Sequence, residues 1–293
     1  MYDRTNLFRS YAFSGLIIVC IVKSRLEILQ FSARVACLTV QAQAQPDERA
    51  AELFFQLASV DRKRILLEFQ REDLHLNEVA KRLGMTATET LRQLQRMADA
   101  CLLEKMGDGK YKLTPYAKVV LEASAPLDFM SRFRDFFMTH DAMLIPTEYR
   151  ARFGELSGGV LLPTAVDTFN TVTGMLRSAR ERIDGTIEVG FATQLEVMKQ
   201  RIAEGVKVRW LLQESYLSKA KEELRSVKKF PEMRYTPWLW GHLYQNDDAA
   251  DVQLRQNDGA QDYLSFHGKD PPFLRWASDF FEYEWKKAKP WYP

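Results

Sequence analysis

Cysteine is scarce. Three residues, Cys20, Cys37 and Cys101, are scattered through 293 positions with no Cys-x-x-Cys pair. That argues against a disulfide scaffold or a cysteine-based zinc site and makes a reducing compartment the expectation. Glycine (14) and proline (11) are sparse as well, which excludes a collagen-like or low-complexity chain. No apolar run approaches the roughly 18 to 20 residues that cross a bilayer. The longest, Ala12 to Val22, stops at Lys23. Excess charge of one sign is also missing. Residues 1–45 hold five basic and two acidic side chains, residues 46–125 hold 13 of each, and residues 126–293 hold 23 against 24. Bulk charge therefore announces no nucleic-acid partner, and any such reading must come from where the charges sit.

What is present is an ordinary globular composition, 46% hydrophobic and 27% charged, at a length that suggests two domains. Residues 1–45 show no clean helical or strand period. Lys23, Arg25, Glu27 and Arg34 separate their apolar core from the cleavage-like Ala42-Gln43-Ala44, which speaks against a secretory signal. A poorly ordered extension is expected there, consistent with a start codon placed too far upstream. The localisation expected for the whole is cytoplasmic, with no membrane partner.

Order begins at Pro46. Leu53, Phe54, Leu57 and Val60 line one helical face, and Ile65, Leu66 and Phe69 line a second. A short helix from Leu76 to Leu83 stops at Gly84, a residue suited to a left-handed turn. Thr86 then caps a fourth helix, with Glu89 placed three residues on to complete a capping box. Val79, Ala80, Leu83, Leu91, Leu94 and Met97 are expected to form the buried seam of this helix-turn-helix. Thr86, Ala87, Thr88, Glu89, Arg92, Gln93 and Arg96 are expected to face outward, where Arg and Gln can bond base edges and Thr can bond bases or phosphates. Gly107-Asp108-Gly109 then separates two short strands. That reads as a β-hairpin wing whose Lys105, Lys110 and Lys112 could rest on phosphates.

These stretches resemble ArsR-type winged-helix regulators. The resemblance rests on Leu53 to Ala58, on Asp61 to Leu66, and on Gly84 to Met97, which is similar to their recognition helix. It implies duplex DNA binding by a homodimer, with that helix in the major groove. Metal-sensing members carry Cys-x-Cys on the third helix. His75 and Asn77 stand there in this chain, so no metal site is expected.

Phe129, Phe133, Phe136 and Phe137 form an aromatic stripe, either a subunit-pairing helix or a face packed on its own chain. Pro146, Gly154 and Gly158-Gly159 punctuate what reads as a linker. Beyond it the pattern is α/β. A helix is predicted over Ala165 to Ile183, a strand over Thr186 to Phe191 and a helix over Gln194 to Glu204. A strand over Val206 to Leu212, a helix over Tyr216 to Lys228 and a final helix over Pro272 to Ala288 follow. Strand-helix-strand with Gly205 between predicts a parallel βαβ unit. Asp251 to Arg255 and Asp262 to Phe266 read as a hairpin around Gln256-Asn257-Asp258-Gly259.

No catalytic set is evident and no cofactor is expected. His267-Gly268-Lys269 matches the start of the His-x-Lys-x4-Asp pattern of phospholipase D-type enzymes, but Leu274 occupies the acidic position and there is no second copy. It reads as a loop before the last helix. An aromatic-rich stretch, Arg234 to Tyr244, offers with Arg209 an effector pocket of Arg209, Arg234, Tyr235, Trp238, Trp240 and His242, against the plainer reading that these rings fill a core.

The segments Glu204 to Trp210, Asp258 to Tyr263 and Trp276 to Trp285, with Ala142 to Pro146 and Arg152 to Leu156, are similar to a group of archaeal regulators. In that group a winged helix is joined to an effector domain first described as the middle domain of a methanogenesis regulator. The resemblance implies a degenerate phospholipase D-like or TrmB-like α/β fold used for sensing.

The expected architecture is thus an extension (1–45), an α+β winged helix-turn-helix DNA-binding domain (46–125), a helical linker (126–160) and an α/β effector domain (161–293). The expected function is a non-enzymatic, DNA-binding transcriptional regulator that senses a small-molecule effector or partner. The alternative is a winged-helix protein–protein module without sequence-specific DNA reading. Phosphodiester hydrolysis at His267 ranks third.

Overall fold

The computed structural model of the protein describes residues 46–190, 192–224 and 231–293. The expectation for residues 1–45, including Cys20 and Cys37, lies outside these. So do Phe191 of the predicted Thr186–Phe191 strand and the end of the predicted Tyr216–Lys228 helix. The chain divides into two compact units whose boundary falls between Leu121 and Glu122.

The first unit opens with four helices: α1 (Pro46–Leu57), α2 (Val60–Phe69), α3 (Leu76–Leu83) and α4 (Ala87–Asp99). Ser59 caps α2, its hydroxyl accepting from the Arg62 N–H. Gly84, at φ +67°, ends α3 in the left-handed conformation that only glycine adopts without cost. Thr86 caps α4, its hydroxyl accepting from the Glu89 N–H at 3.2 Å. Strands β1 (Leu103–Lys105) and β2 (Tyr111–Leu113) pair antiparallel, with Leu103 opposite Leu113. Gly109 at φ +89° allows the tight turn between them. Leu74 bridges to Tyr111 from the other side of β2. Ile65, Leu66, Phe69, Val79, Leu94, Met97, Leu102 and Tyr111 form the shared core.

Two seam assignments are corrected. Leu91 is 45% exposed, and Gln93 is only 7% exposed. The buried stripe of α4 is Thr90, Gln93, Leu94 and Met97, an i, i+3, i+4, i+7 set that leaves Leu91 off its edge. Only half of the expected capping box forms at Thr86, because the Glu89 carboxylate turns to Arg92 and Gln93.

A long helix, α5 (Pro115–Arg132), carries the chain across the unit boundary. The second unit continues with α6 (Arg134–Thr139), α7 (Thr147–Arg150), β3 (Val160–Leu162), α8 (Ala165–Ser178), β4 (Arg182–Ile187) and α9 (Ala192–Ala203). Then come β5 (Lys207–Gln213), α10 (Leu217–Glu223), β6 (Glu232–Thr236), β7 (Gly241–Gln245), β8 (Ala250–Leu254), β9 (Ser265–Gly268), α11 (Pro271–Lys287) and β10 (Lys289–Pro290). Among the described residues, eight strands of this unit form one sheet in the order β10-β6-β5-β4-β7-β8-β9-β3. Strands β4, β5 and β6 run parallel, as the βαβ pattern predicts, and the others pair antiparallel.

Two cores cover the sheet. Residues of α8, α9 and α10 pack with Ile183, Ile187, Val208, Trp210 and Leu212. Residues of α11 and of 129–156 pack with Leu211, Leu243, Val252, Leu254 and Phe266. The stretch predicted as a linker is thus part of this second core. Its aromatic stripe closes on its own chain: Phe129, Phe133 and Phe136 surround Phe266 at centroid distances of 5.1, 4.9 and 4.8 Å.

Other boundaries shift for identifiable reasons. The helix predicted to reach Ile183 ends at Ser178, because the Asp247 carboxylate collects the N–H groups of Arg180, Glu181 and Arg182 and turns the chain into β4. That strand lies earlier than predicted, since its Asp184 is buried in partnership with Arg209 rather than exposed. The β8–β9 hairpin is shorter in pairing and longer in loop than predicted, with Asp251 opposite His267.

Candidate functional site

In the first unit, Thr86, Thr88, Arg92 and Arg96 lie on the exposed side of α4, with Glu89 half-exposed beside them. Arg92 donates to both Glu89 oxygens at 2.8 and 2.7 Å. This contact holds the Glu89 carboxyl below the usual carboxylate range. Gln93, expected to read bases, instead points inward. Its amide donates to Glu89 at 2.6 Å and its carbonyl accepts from Arg62 at 3.4 Å. Arg62 is itself buried and donates to the last carbonyls of α1, Phe55 at 2.6 Å and Gln56 at 3.0 Å. On the hairpin, Lys110 is half-buried, Lys112 lies 3.8 Å from Glu104, and Lys105 sits over the Tyr111 ring. His75 is exposed, next to the hairpin turn at Gly109.

In the second unit the six residues expected to share one pocket disperse. Arg209 pairs with Asp184 and Glu282 under the rings of Phe281 and Trp285. Arg234 donates to the Trp285 carbonyl. Tyr235 packs with the opposite core, and Trp240 is buried against Phe280. Of these four, Trp240 is buried in the core, and Arg209, Arg234 and Tyr235 are half-buried. Arg209 and Arg234 both lie over the Trp285 ring, at 5.3 and 5.0 Å, whereas Trp238 and His242 meet at a separate place.

They converge on a polar cluster that sequence reasoning missed. Glu188 follows β4, Gln213 ends β5, His242 is the second residue of β7 and Arg255 follows β8. All therefore lie at the carboxyl end of the parallel strands, where open α/β sheets bind their ligands. Buried Arg255 donates to Glu188 at 2.5 Å, to Gln213 at 3.3 Å, and to the carbonyls of Leu239 and Gly259. The half-exposed Trp238 ring lies 4.9 Å from its guanidinium. His242 Nε2 is 3.7 Å from the same Glu188 oxygen, and burial pushes the imidazole down to about 4, so it is neutral at pH 7. Gln253 faces His242 across the β7–β8 ladder, and its buried side-chain oxygen has no partner among the described residues.

The layer continues along β8. Fully buried Asp251 accepts from Gln253 at 2.9 Å and Ser265 at 2.7 Å, and burial pushes its carboxyl up to about 7. The signal for this layer was the alternation Asp251-Gln253-Arg255, which in isolation reads as a solvent-facing strand edge.

His267 lies on β9 rather than in a loop, and burial lowers its pKa. Asp270 caps α11 by accepting from the Phe273 N–H. No group of three or more His, Cys, Asp or Glu side chains among the described residues could hold a metal ion. No helix among them is long and apolar enough to cross a membrane.

No protein-family model and no curated protein matches the chain. Among solved structures it is similar to TrmBL2, an archaeal chromatin protein whose structure is described as showing a novel mode of DNA binding. The two are 17% identical, with a TM-score of 0.40, over 74% of this chain and 88% of that one. It is also similar to NucT from Helicobacter pylori (14% identity, TM-score 0.36, 45% of this chain and 97% of that one). Nuc from Salmonella typhimurium, a phospholipase D family member, matches at 10% identity and a TM-score of 0.35, over 43% of this chain and 91% of that one. At these scores the likeness is one of outline alone.

Proposed function

We propose that the protein is a DNA-binding transcriptional regulator. In this reading the first unit is a winged helix-turn-helix that presents α4 to the major groove and the β1–β2 hairpin to the backbone. A homodimer would carry two such heads. The observation that carries the reading is the exposed face of α4, where a left-handed glycine turn and a threonine cap project Thr88, Arg92 and Arg96 from one rigid helix. The second unit acts in this reading as a non-catalytic sensor. The Glu188–His242–Arg255 cluster is where a small effector or partner would bias one arrangement of the protein over another. The unpaired oxygen of Gln253 and the position at the strand ends support that assignment.

The test is binding of the full chain to a duplex of its own promoter, followed by anisotropy across a salt series. Saturable binding with a steep salt slope, tighter than to a scrambled duplex, is the expected result. Arg92→Ala should weaken specific binding by roughly tenfold or more, as loss of one good base contact does. Unchanged affinity and sequence preference in that variant would remove Arg92 from the interface.

A second reading is favoured by one observation. The Arg92 charge is already neutralised by Glu89, which suits a protein–protein module better than a phosphate-seeking surface. Equal, weak binding to every duplex in a genomic fragment library, together with capture of a transcription-complex component by α4, would select that alternative.

A further inference from the structure

We propose that Glu89 determines base specificity, and that α4 reads a G·C pair, or two adjacent ones, through Glu89 and Arg92 together. The proposal rests on the DNA-reading function above and names what that surface recognises.

Glu89 and Arg92 are three residues apart on α4 and therefore share one face. Most surface carboxylates rotate freely, but this one is held from below. Gln93 donates to it at 2.6 Å, Arg62 holds Gln93, and Arg62 is anchored on the Phe55 and Gln56 carbonyls. The chain of contacts runs from α1 through α2 to the exposed side of α4.

A fixed carboxylate in a DNA-facing surface repels phosphates, so it weakens binding to duplex in general. Its favourable partner in the major groove is the cytosine N4 amino group. Adenine also offers an amino group, but beside the N7 acceptor, which repels a carboxylate. Guanine, the other half of the pair, presents the O6 and N7 acceptors that an arginine fork fits. At a G·C pair the Glu89–Arg92 contact is exchanged for two base contacts, and at other pairs it is broken without full replacement. In the free chain the same contact keeps Arg92 off the phosphates of random sequence.

The experiment uses the full chain and a random-sequence duplex pool, followed by titrations with a selected duplex and with one whose G·C pair is replaced by A·T. The wild type is expected to prefer the G·C duplex by about tenfold or more. Glu89→Gln removes the charge at nearly constant size. It should raise affinity for random duplex several-fold, steepen the salt slope there by about one as Arg92 finds a phosphate, and collapse the preference. Arg92→Lys keeps the charge and loses the planar fork. It should lose the preference for the G·C duplex, and it keeps the proposal testable if Glu89→Gln does not fold. If Glu89→Gln leaves random affinity and preference unchanged, or weakens all duplexes alike, the specificity role of Glu89 is overturned while DNA reading stands. Full preference retained in Arg92→Lys overturns it too. If the wild type selects no duplex from the pool, both the specificity role and the DNA-reading function fall.

Discussion

Two ion pairs of identical composition sit in contrasting settings. Glu89–Arg92 lies on the exposed side of a helix in the first unit, and Glu188–Arg255 lies in the buried polar layer of the second. The distances differ little, 2.7 and 2.5 Å, but solvent decides what each pair does. Water screens the first, so it adds little to stability and can be exchanged for another partner. The second has surrendered most of its hydration and is tied to four further groups, so removing one partner strands the other. A surface pair of this kind can take part in recognition, and a buried one can hold an arrangement.

The sharpest break of the comparison is Arg255→Met, which takes the guanidinium away from Glu188, Gln213 and two carbonyls, although Gln213 still donates to Glu188 and still accepts from the Leu239 N–H. It should destabilise the second unit by about 3–5 kcal/mol, read as an earlier transition in urea by circular dichroism. Arg92→Ala should leave the first unit's transition where it is. Equal effects would erase the distinction.

Asp251→Asn sharpens the buried side through pH. The Asp251 carboxyl titrates near 7 in the folded chain, against about 3.9 when unfolded. The folded state therefore holds the proton longer, and the stability this contributes is full below about pH 4 and lost as pH rises to 7. The wild type should lose roughly 2–4 kcal/mol across that window relative to the asparagine variant, and the variant should be the more stable above pH 7. Parallel pH curves for the two would show that Asp251 is ionised in the fold.

The smallest effect expected is Thr86→Ala. Loss of the cap should cost about 1 kcal/mol in the first unit alone, measurable as a small Tm decrease that leaves the second unit's melting unmoved.

How much of this could be read beforehand follows the range of the interactions. The turn at Gly84, the Thr86 cap and the Asp108-Gly109 hairpin are set by neighbours in the chain, and all were legible. For Gln93 and Leu91 the local pattern misleads, because amide and leucine suggest outside and inside, whereas Arg62, 31 positions away, draws the amide in. The local pattern sets strand β4 too late because Asp184 reads as a strand breaker until Arg209 is opposite it. The polar cluster could not be read at all from local pattern. Glu188, Gln213, His242 and Arg255 meet only because β4 stands between β5 and β7 in the sheet, with β8 beyond.

Trp238 has a consequence of its own. Of the six tryptophans it is the one that is 47% exposed while stacked on a guanidinium inside the polar layer. Its emission therefore reports the local charge and wetness at the mouth of that layer. The difference in emission between the wild type and Trp238→Phe separates that signal from the other five tryptophans and gives an optical gauge of rearrangement around Arg255 without a dye.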